Sequence, residues 1–244
     1  MTKKQIKKQV PGGFDDTVKK VLREYAEALL FAIIFAVIIR AFFVSAYKIP
    51  TNSMAPTLQV GDFIFAIKWP FGFSLPGKKQ RLGFNPPRRG DIVVFSCPHS
   101  RSGHCVKRVV ALPGDKVQII KKNLFVNDVK ASYKPLHINQ ESEQHFATPS
   151  AVVAETIFNH TRHIVIGANL EFENYGPVVV PPDHFFTLGD ARDFTEDSRL
   201  WGVVPYTSLQ AKVVLIWMSL DWRLAWSGDG GARIRWGRIF LKPK

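Results

Sequence analysis

The stretch "VKRVVALPGDKVQII", Val106 to Ile120, decides the fold class, because two β-branched runs flank one signal for a tight turn. The runs "VKRVVAL" (106–112) and "KVQII" (116–120) are short and apolar, which is typical of strands. Pro113 and Gly114 stand between them, and this pair marks a turn. The stretch therefore predicts two consecutive strands.

Short apolar runs of the same kind occur before and after the stretch 106–120. Further strands are predicted at "DFIFAI" (62–67), "DIVVFS" (91–96), "NLFVNDV" (123–129), "HFFTLG" (184–189) and "AKVVLIWMSL" (211–220). We expect a mostly β domain whose strands fold on themselves as a sandwich or barrel. The polar middle, 131–182, is expected to be an insertion of irregular structure, and the Gly- and Pro-rich stretch 69–91 a long loop.

An apolar run precedes the strands. From Ala28 to Ala46 the only charge is Arg40, and a helix of this length nearly crosses a hydrocarbon core about 30 Å thick. We expect one transmembrane helix over residues 25–45. The alternatives are a buried core helix and a removable secretion signal, but core helices seldom lack a polar face over this length and signal peptides have shorter apolar cores.

Charge limits the partners. The net charge of +13 suits nucleic acid, an anionic membrane surface or an acidic partner. Nucleic acid is disfavoured because the chain has no zinc-finger spacing, RNA-binding signature or recognition helix. Basic residues before the apolar run predict a cytoplasmic N-terminus. The aromatic and basic C-terminal stretch 232–244 fits membrane lipids or a solvated strand end equally well.

Ser53 is a candidate nucleophile in "IPTNSMAPTL" (49–58), although a lone Ser in a turn is usually a turn residue or helix cap. A Ser nucleophile needs a base, and none of the seven histidines lies in a motif typical of a serine triad. Lys107 interrupts a β-branched strand, and burial there would lower its pKa and let it accept a proton. The alternative is an exposed lysine on an edge strand.

The segment "GDARDFTEDSRLWG" (189–202), called the ionic loop below, is dense in charge. It follows a predicted strand and precedes the apolar "LWGVVP", so both of its ends are expected to be fixed. A fixed ionic loop can support a site.

Four segments, "IPTNSMAPTLQVGDFIF", "RGDIVVF", "VKRVVALPGDKV" and "GDARDFTEDSRLWGVVP", follow the apolar run in this order. Together they resemble the conserved boxes of bacterial type I signal peptidases over most of residues 40–125 and 181–220. The resemblance implies a β catalytic domain on the outer face of the inner membrane. It also implies a Ser-Lys dyad, without a cofactor or metal, that removes signal peptides from exported preproteins after small residues.

The resemblance assigns roles to residues. Ser53 matches the nucleophile, Lys107 the general base, and Thr51 the hydroxyl that completes the oxyanion hole with the Ser53 N–H. Thr195 stands where the family usually has a Ser that orients the lysine. The supporting ionic residues correspond to Asp190, Arg192, Asp197 and Arg199.

The chain departs from the family pattern at three points. Ala191 and Phe194 stand where Asn is usual, and Thr195 keeps the hydroxyl of Ser but adds a methyl group. The chain shows one anchor helix, whereas members from Gram-negative bacteria often have two.

The substrate is expected to dock as an extended strand. Small side chains before the cut would fit apolar pockets lined by Tyr47, Ile49, Met54, Leu58 and Val106. Ordinary core packing is the alternative for each of these five residues.

Cys97 and Cys105 bracket "PHSRSGH" between two predicted strands. A disulfide suits an oxidising compartment. Free thiols and a zinc site with His99 and His104 are the alternatives, although this spacing matches no standard zinc motif.

We divide the chain into a cytoplasmic N-terminus (1–24), the transmembrane helix (25–45), the first catalytic part (46–130), the insert (131–182) and the second catalytic part (183–244). One rival function is a Ser-Lys peptidase that cleaves itself or a single dedicated partner. The other is a non-catalytic, membrane-tethered binding module.

Overall fold

The chain divides into two units, residues 1–43 and residues 44–244. The structure is a computed structural model that describes residues 14–74, 81–98, 103–136, 150–167, 173–222 and 231–243. The mostly β class is confirmed for the second unit.

In the first unit, the described residues 14–43 contain one helix, α1 (Phe14–Phe42). Apolar side chains such as Leu29, Phe31 and Phe35 are exposed along it. Among the residues described above, no helix combines the length and the apolar character that crossing a membrane requires. The transmembrane span expected over residues 25–45 is therefore not confirmed.

The second unit is built mainly from strands. Within the described ranges these are β1 (Val44–Lys48), β2 (Asp62–Ile67), β3 (Phe71–Ser74), β4 (Arg81–Phe84), β5 (Ile92–Ser96), β6 (His104–Ala111), β7 (Lys116–Ile120), β8 (Asn123–Val126), β9 (Val129–Lys130), β10 (Ser132–Pro135), β11 (Ser150–Ile157), β12 (His160–Gly167), β13 (Tyr175–Val179), β14 (His184–Leu188), β15 (Val204–Pro205), β16 (Leu209–Asp221) and β17 (Arg233–Ile234). A short helix, α2 (Ser198–Trp201), follows β14.

The largest sheet has the order β1-β2-β16-β5-β6-β14-β15, with β17 paired to β16. Strand β6 lies inside this sheet because β5 and β14 pair with its two edges. One apolar cluster contains Val109 with Phe95 and Phe185, and a second contains Val110 with Leu124. The edge-strand alternative for Lys107 is therefore wrong, because its strand is interior.

The smaller sheets carry the remaining strands. One has the order β13-β7-β8-β9, a second has the order β10-β11-β12, and β3 pairs with β4. Asn127 and Asp128 adopt φ values of 53° and 63° between β8 and β9. Because Asn and Asp tolerate the left-handed region, the single strand predicted over 123–129 is instead a tight hairpin.

Two expectations about loops need correction. The stretch 69–91 contains the hairpin β3–β4, in which Phe71 pairs with Phe84, rather than only a loop. The insert contains the hairpin β11–β12, whose two strands have eight residues each. Polar and charged residues interrupt the apolar pattern of both strands, Glu155 in β11 and Arg162 and His163 in β12, and this conceals the hairpin in the sequence.

Cys97 and Cys105 form a disulfide that joins the ends of β5 and β6. Both thiols are used in this bond, so the free-thiol and zinc alternatives are wrong. His99 lies outside the described residues. Among the residues that are described, no group of three or more His, Cys, Asp or Glu side chains is placed to hold a metal.

Candidate active site

Ser53 lies in the turn that joins β1 to β2. The apolar side chains that follow it, Met54 and Leu58, are buried and fix the turn to the core. The Leu58 N–H donates to the Met54 carbonyl at 2.8 Å, which closes the turn. Thr51 Oγ1 donates to Ser53 Oγ at 3.3 Å, so the two predicted hydroxyls are neighbours.

Lys107 projects from the interior strand β6 and is only 5% exposed. Its Nζ donates to Thr195 Oγ1 at 2.5 Å. The Thr195 hydroxyl in turn donates to the Glu196 carbonyl at 3.0 Å. With its proton directed away, the Thr195 oxygen presents a lone pair to the lysine, which fixes the orientation of the amine.

The environment of Lys107 favours the neutral amine. Burial lowers the pKa of Lys107 to about 8, because the charged form loses its water. Asp197 opposes this shift, Arg199 adds to it, and Asp190 and Glu196 oppose it. Desolvation is the largest of these influences, so a substantial fraction of the side chain is unprotonated at mildly alkaline pH.

Gly189 is the point at which the nucleophile turn and the lysine's partner meet. A Cβ atom on Gly189 would lie 2.6 Å from the Ser53 carbonyl oxygen and 2.7 Å from Thr195 Oγ1. The Ala191 N–H also donates to the Ser53 carbonyl at 3.2 Å. The ionic loop therefore touches the backbone of Ser53 while it holds the partner of Lys107.

Asp190 ties the ionic loop to two other elements. Its carboxylate accepts from Arg108 Nε at 2.8 Å and Nη2 at 2.6 Å, a buried bidentate pair. Thr57 Oγ1, four residues after the nucleophile, donates to the same carboxylate at 2.6 Å. Arg108 and Thr57 were missed by sequence reasoning, although a second cation in a β-branched strand was a signal for Arg108.

Asp197 holds the other end of the ionic loop. It accepts from Arg199 Nε and Nη2, each at 2.8 Å, and from the Gly189 N–H at 3.0 Å. Arg199 also donates to the Arg192 carbonyl. The four predicted ionic residues therefore lie in one loop but make different contacts.

The backbone carbonyl of Arg192 belongs to this network, but its side chain binds the insert. Its Nη2 donates to Glu155 Oε2 on β11 at 2.5 Å. Glu155 was not predicted from the sequence, because a single glutamate that interrupts an apolar strand carries no signal for a buried role.

The predicted substrate-contacting residues lie in one apolar cluster. Ile49, Met54 and Leu58 are buried in it, and Tyr47 and Val106 pack against it while staying partly exposed. The cluster adjoins Ser53 along the chain. Its role in substrate binding stays a prediction.

Comparison with known proteins identifies the family. The family model for signal peptidase, peptidase S26, matches residues 22–218. A signal peptidase I from Rickettsia typhi is 32% identical over 232 residues, covering 88% of this chain and 86% of that protein. A signal peptidase I from Rickettsia massiliae is 32% identical over 233 residues with the same coverage. A crystal structure of a signal peptidase I from Enterococcus faecalis V583 is 27% identical, with a TM-score of 0.31, and the match covers 52% of this chain and 97% of that one. The chain belongs to the signal peptidase family, peptidase S26.

Proposed function

We propose that this chain removes N-terminal signal peptides from exported preproteins as a membrane-anchored serine endopeptidase, with Ser53 as nucleophile and Lys107 as general base. Its membership of the peptidase S26 family supports the reaction and the substrate class. The observation that carries the site assignment is a buried lysine held by the same loop that hydrogen-bonds the Ser53 backbone.

In the proposed acylation step, neutral Lys107 takes the proton of Ser53 as its oxygen attacks the scissile carbonyl. The amine then gives the proton to the departing peptide nitrogen. A lowered pKa suits both transfers, because the lysine must be neutral before attack and a sufficient acid afterwards. Water then attacks the acyl-enzyme, with Lys107 again as base, and releases the cleaved signal peptide.

The oxyanion of each tetrahedral intermediate is stabilised by the Ser53 N–H and the Thr51 hydroxyl. Thr51 Oγ1 lies 3.3 Å from Ser53 Oγ, within reach of an oxygen bonded to the attacked carbon. The hydroxyl can turn from Ser53 towards this oxygen as negative charge develops.

The substrate lies beside the turn as an added strand, with its side chains against the cluster that includes Tyr47 and Val106. The partly exposed members offer the first contacts, and buried Ile49 and Met54 form the floor beneath them. A shallow apolar floor favours small side chains before the cut.

The anchor is α1, with the N-terminus in the cytoplasm and the catalytic unit outside the inner membrane. Its support is the run of exposed apolar side chains that includes Leu29, Phe31 and Phe35. Alkaline carbonate extraction of cell membranes tests anchoring, and protease treatment of spheroplasts tests which side the catalytic unit occupies. Release by carbonate would contradict membrane anchoring through α1.

The deciding experiment is cleavage of a purified preprotein by the full-length protein in detergent, with Ser53→Ala assayed in parallel. We expect the unmodified protein to release a fragment ending in a small residue and Ser53→Ala to release none. The variant should unfold like the parent, because a turn hydroxyl contributes little to stability. Cleavage by well-folded Ser53→Ala at the parent rate would exclude Ser53 as nucleophile.

A further inference from the structure

The insert contacts the ionic loop directly, through the backbone of β12. The Val165 N–H donates to the Asp190 carbonyl, and the Arg192 N–H donates to the Val165 carbonyl, each at 2.8 Å. Val165 thereby forms a parallel bridge with Ala191. Since the Ala191 N–H bonds the Ser53 carbonyl, this short segment is held between the insert and the nucleophile turn.

A buried charge cluster reinforces this contact. Glu155 is fully buried and lies opposite Arg162 in the hairpin β11–β12. Its Oε2 accepts from Arg162 Nε and from Arg192 Nη2, each at 2.5 Å, and its Oε1 accepts from the Tyr133 hydroxyl at 2.9 Å. Burial raises the pKa of Glu155, but Arg162 and Arg192 lower it by a larger amount, so that the resulting pKa is about 2. The carboxylate is therefore charged and binds one arginine from the insert and one from the ionic loop.

The end of β12 holds the next part of the loop. Asp193 Oδ2 accepts from the Gly167 N–H at 2.7 Å and from Lys122 Nζ at 3.0 Å. The ring of Phe194 packs against Gly167, where an added Cβ would lie 2.8 Å from its Cζ atom. The ionic loop therefore contacts the insert as far as Phe194, the residue before Thr195.

We propose that Glu155 is a positioning residue for proton transfer, which acts through Arg192 to hold the ionic loop where Thr195 meets Lys107. This inference rests on the proposed function of Ser53 and Lys107. The insert is then a brace for the catalytic centre, and Glu155 links the two by binding a buried cation of the loop.

Loss of the Glu155 charge would leave Arg162 and Arg192 as two buried cations without their shared anion, an arrangement that is strongly unfavourable. Arg192 would move towards water and displace the loop. Thr195 would then separate from Lys107, and water would reach the amine.

Among the described residues, the charged groups with the largest influence on Lys107 are Asp197, Arg199, Asp190 and Glu196, and all four lie on the ionic loop. Displacement of the loop weakens the influence of all four, and because three of them are carboxylates that raise the pKa, this loss alone would lower it. Burial is the largest influence on Lys107, so the entry of water raises the pKa of its amine towards 10.5.

The test measures kcat/KM against pH for the full-length protein in detergent with a preprotein substrate. The variants are Glu155→Gln, which removes the charge, and Glu155→Asp, which keeps it on a shorter side chain. Arg162→Gln is the matched control, because it removes a cation from the same carboxylate but leaves the contact with Arg192. Urea unfolding and circular dichroism of each variant establish that it is folded.

We expect Glu155→Gln to move the acidic limb of the profile upward by about one pH unit, which lowers kcat/KM about tenfold at pH 7. Glu155→Asp should move the acidic limb upward by a smaller amount. If Glu155→Gln does not fold, the shift in Glu155→Asp tests the positioning role of Glu155. Arg162→Gln should leave the midpoint of the limb in place.

An unchanged midpoint in a folded Glu155 variant would overturn the inference, and so would an equal shift in Arg162→Gln, which would indicate a general loss of stability. Both results leave the proposed function intact if the unmodified protein cleaves the preprotein. Failure of the unmodified protein to cleave would overturn the proposed function and this inference with it.

Discussion

Lys107 and Thr195 are 88 residues apart in the chain and are joined by a buried hydrogen bond of 2.5 Å. The bond connects an interior strand of the main sheet to the ionic loop. It therefore makes the orientation of the lysine depend on a loop that also contacts the Ser53 backbone and the insert.

The Thr195 hydroxyl should matter more than its methyl group. Thr195→Val keeps the shape but removes the oxygen that accepts from Lys107, and we expect kcat to fall about 10- to 100-fold, corresponding to the loss of a charge-assisted hydrogen bond. Thr195→Ser keeps that oxygen and should retain most of the turnover. Equal activity of the two variants in a steady-state assay would argue against an orienting role.

Replacing Lys107 with Met should remove activity and stabilise the fold. The pKa of Lys107 is about 8 in the folded protein, against 10.5 for an ordinary lysine. Below pH 8 the buried lysine therefore costs folding about 3 kcal/mol, and this cost declines as pH rises from 8 to 10.5, where the unfolded chain also loses the proton.

Urea unfolding of Lys107→Met and the unmodified protein at pH 6.5 and pH 10 checks this. The gain in the free energy of unfolding should be larger at pH 6.5. A gain that grows with pH would mean that Lys107 is not desolvated in the folded state.

Thr51→Ala should reduce turnover more than substrate binding. Its proposed contact with the oxyanion strengthens only as negative charge develops, and the loss of one such donor costs about 3 kcal/mol, or about 100-fold in kcat. Initial rates over a range of preprotein concentrations separate the two parameters. A change confined to KM would place Thr51 in a ground-state binding pocket.

Gly189→Ala should inactivate the protein, because its Cβ would lie 2.6 Å from the Ser53 carbonyl oxygen and 2.4 Å from Thr195 Cγ2. The strain would separate the nucleophile turn from the ionic loop. Gly237→Ala is the matched control, since its added Cβ would meet nothing within 4 Å apart from the adjacent backbone. Comparable loss of preprotein cleavage in both variants would show that steric conflict at Gly189 is not the cause.

The sequence predicted the strands rich in β-branched residues. It also predicted four residues of the candidate site that the structure places in neighbouring pairs, Thr51 with Ser53 and Lys107 with Thr195. Val109 and Val117 are β-branched and apolar, which indicated their strands, and the structure shows that both side chains are buried. Strand β11 was missed because Glu155 interrupts its apolar pattern, and its burial depends on arginines brought together only by folding. Thr57 was missed for a similar reason, since its partner Asp190 is 133 residues away in the chain.

The proposed mechanism depends most on Lys107 acting as a base that gains and loses a proton. Lys107→Arg tests this directly, because arginine keeps the charge and a similar length but does not lose its proton near neutral pH. The measurement is kcat/KM for preprotein cleavage between pH 6 and pH 10, with Lys107→Ala as the reference for full loss. We predict that Lys107→Arg is as inactive as Lys107→Ala at every pH, while the unmodified protein gains activity as pH rises through about 8. Near-normal cleavage by Lys107→Arg would contradict the account and require another group to act as the base.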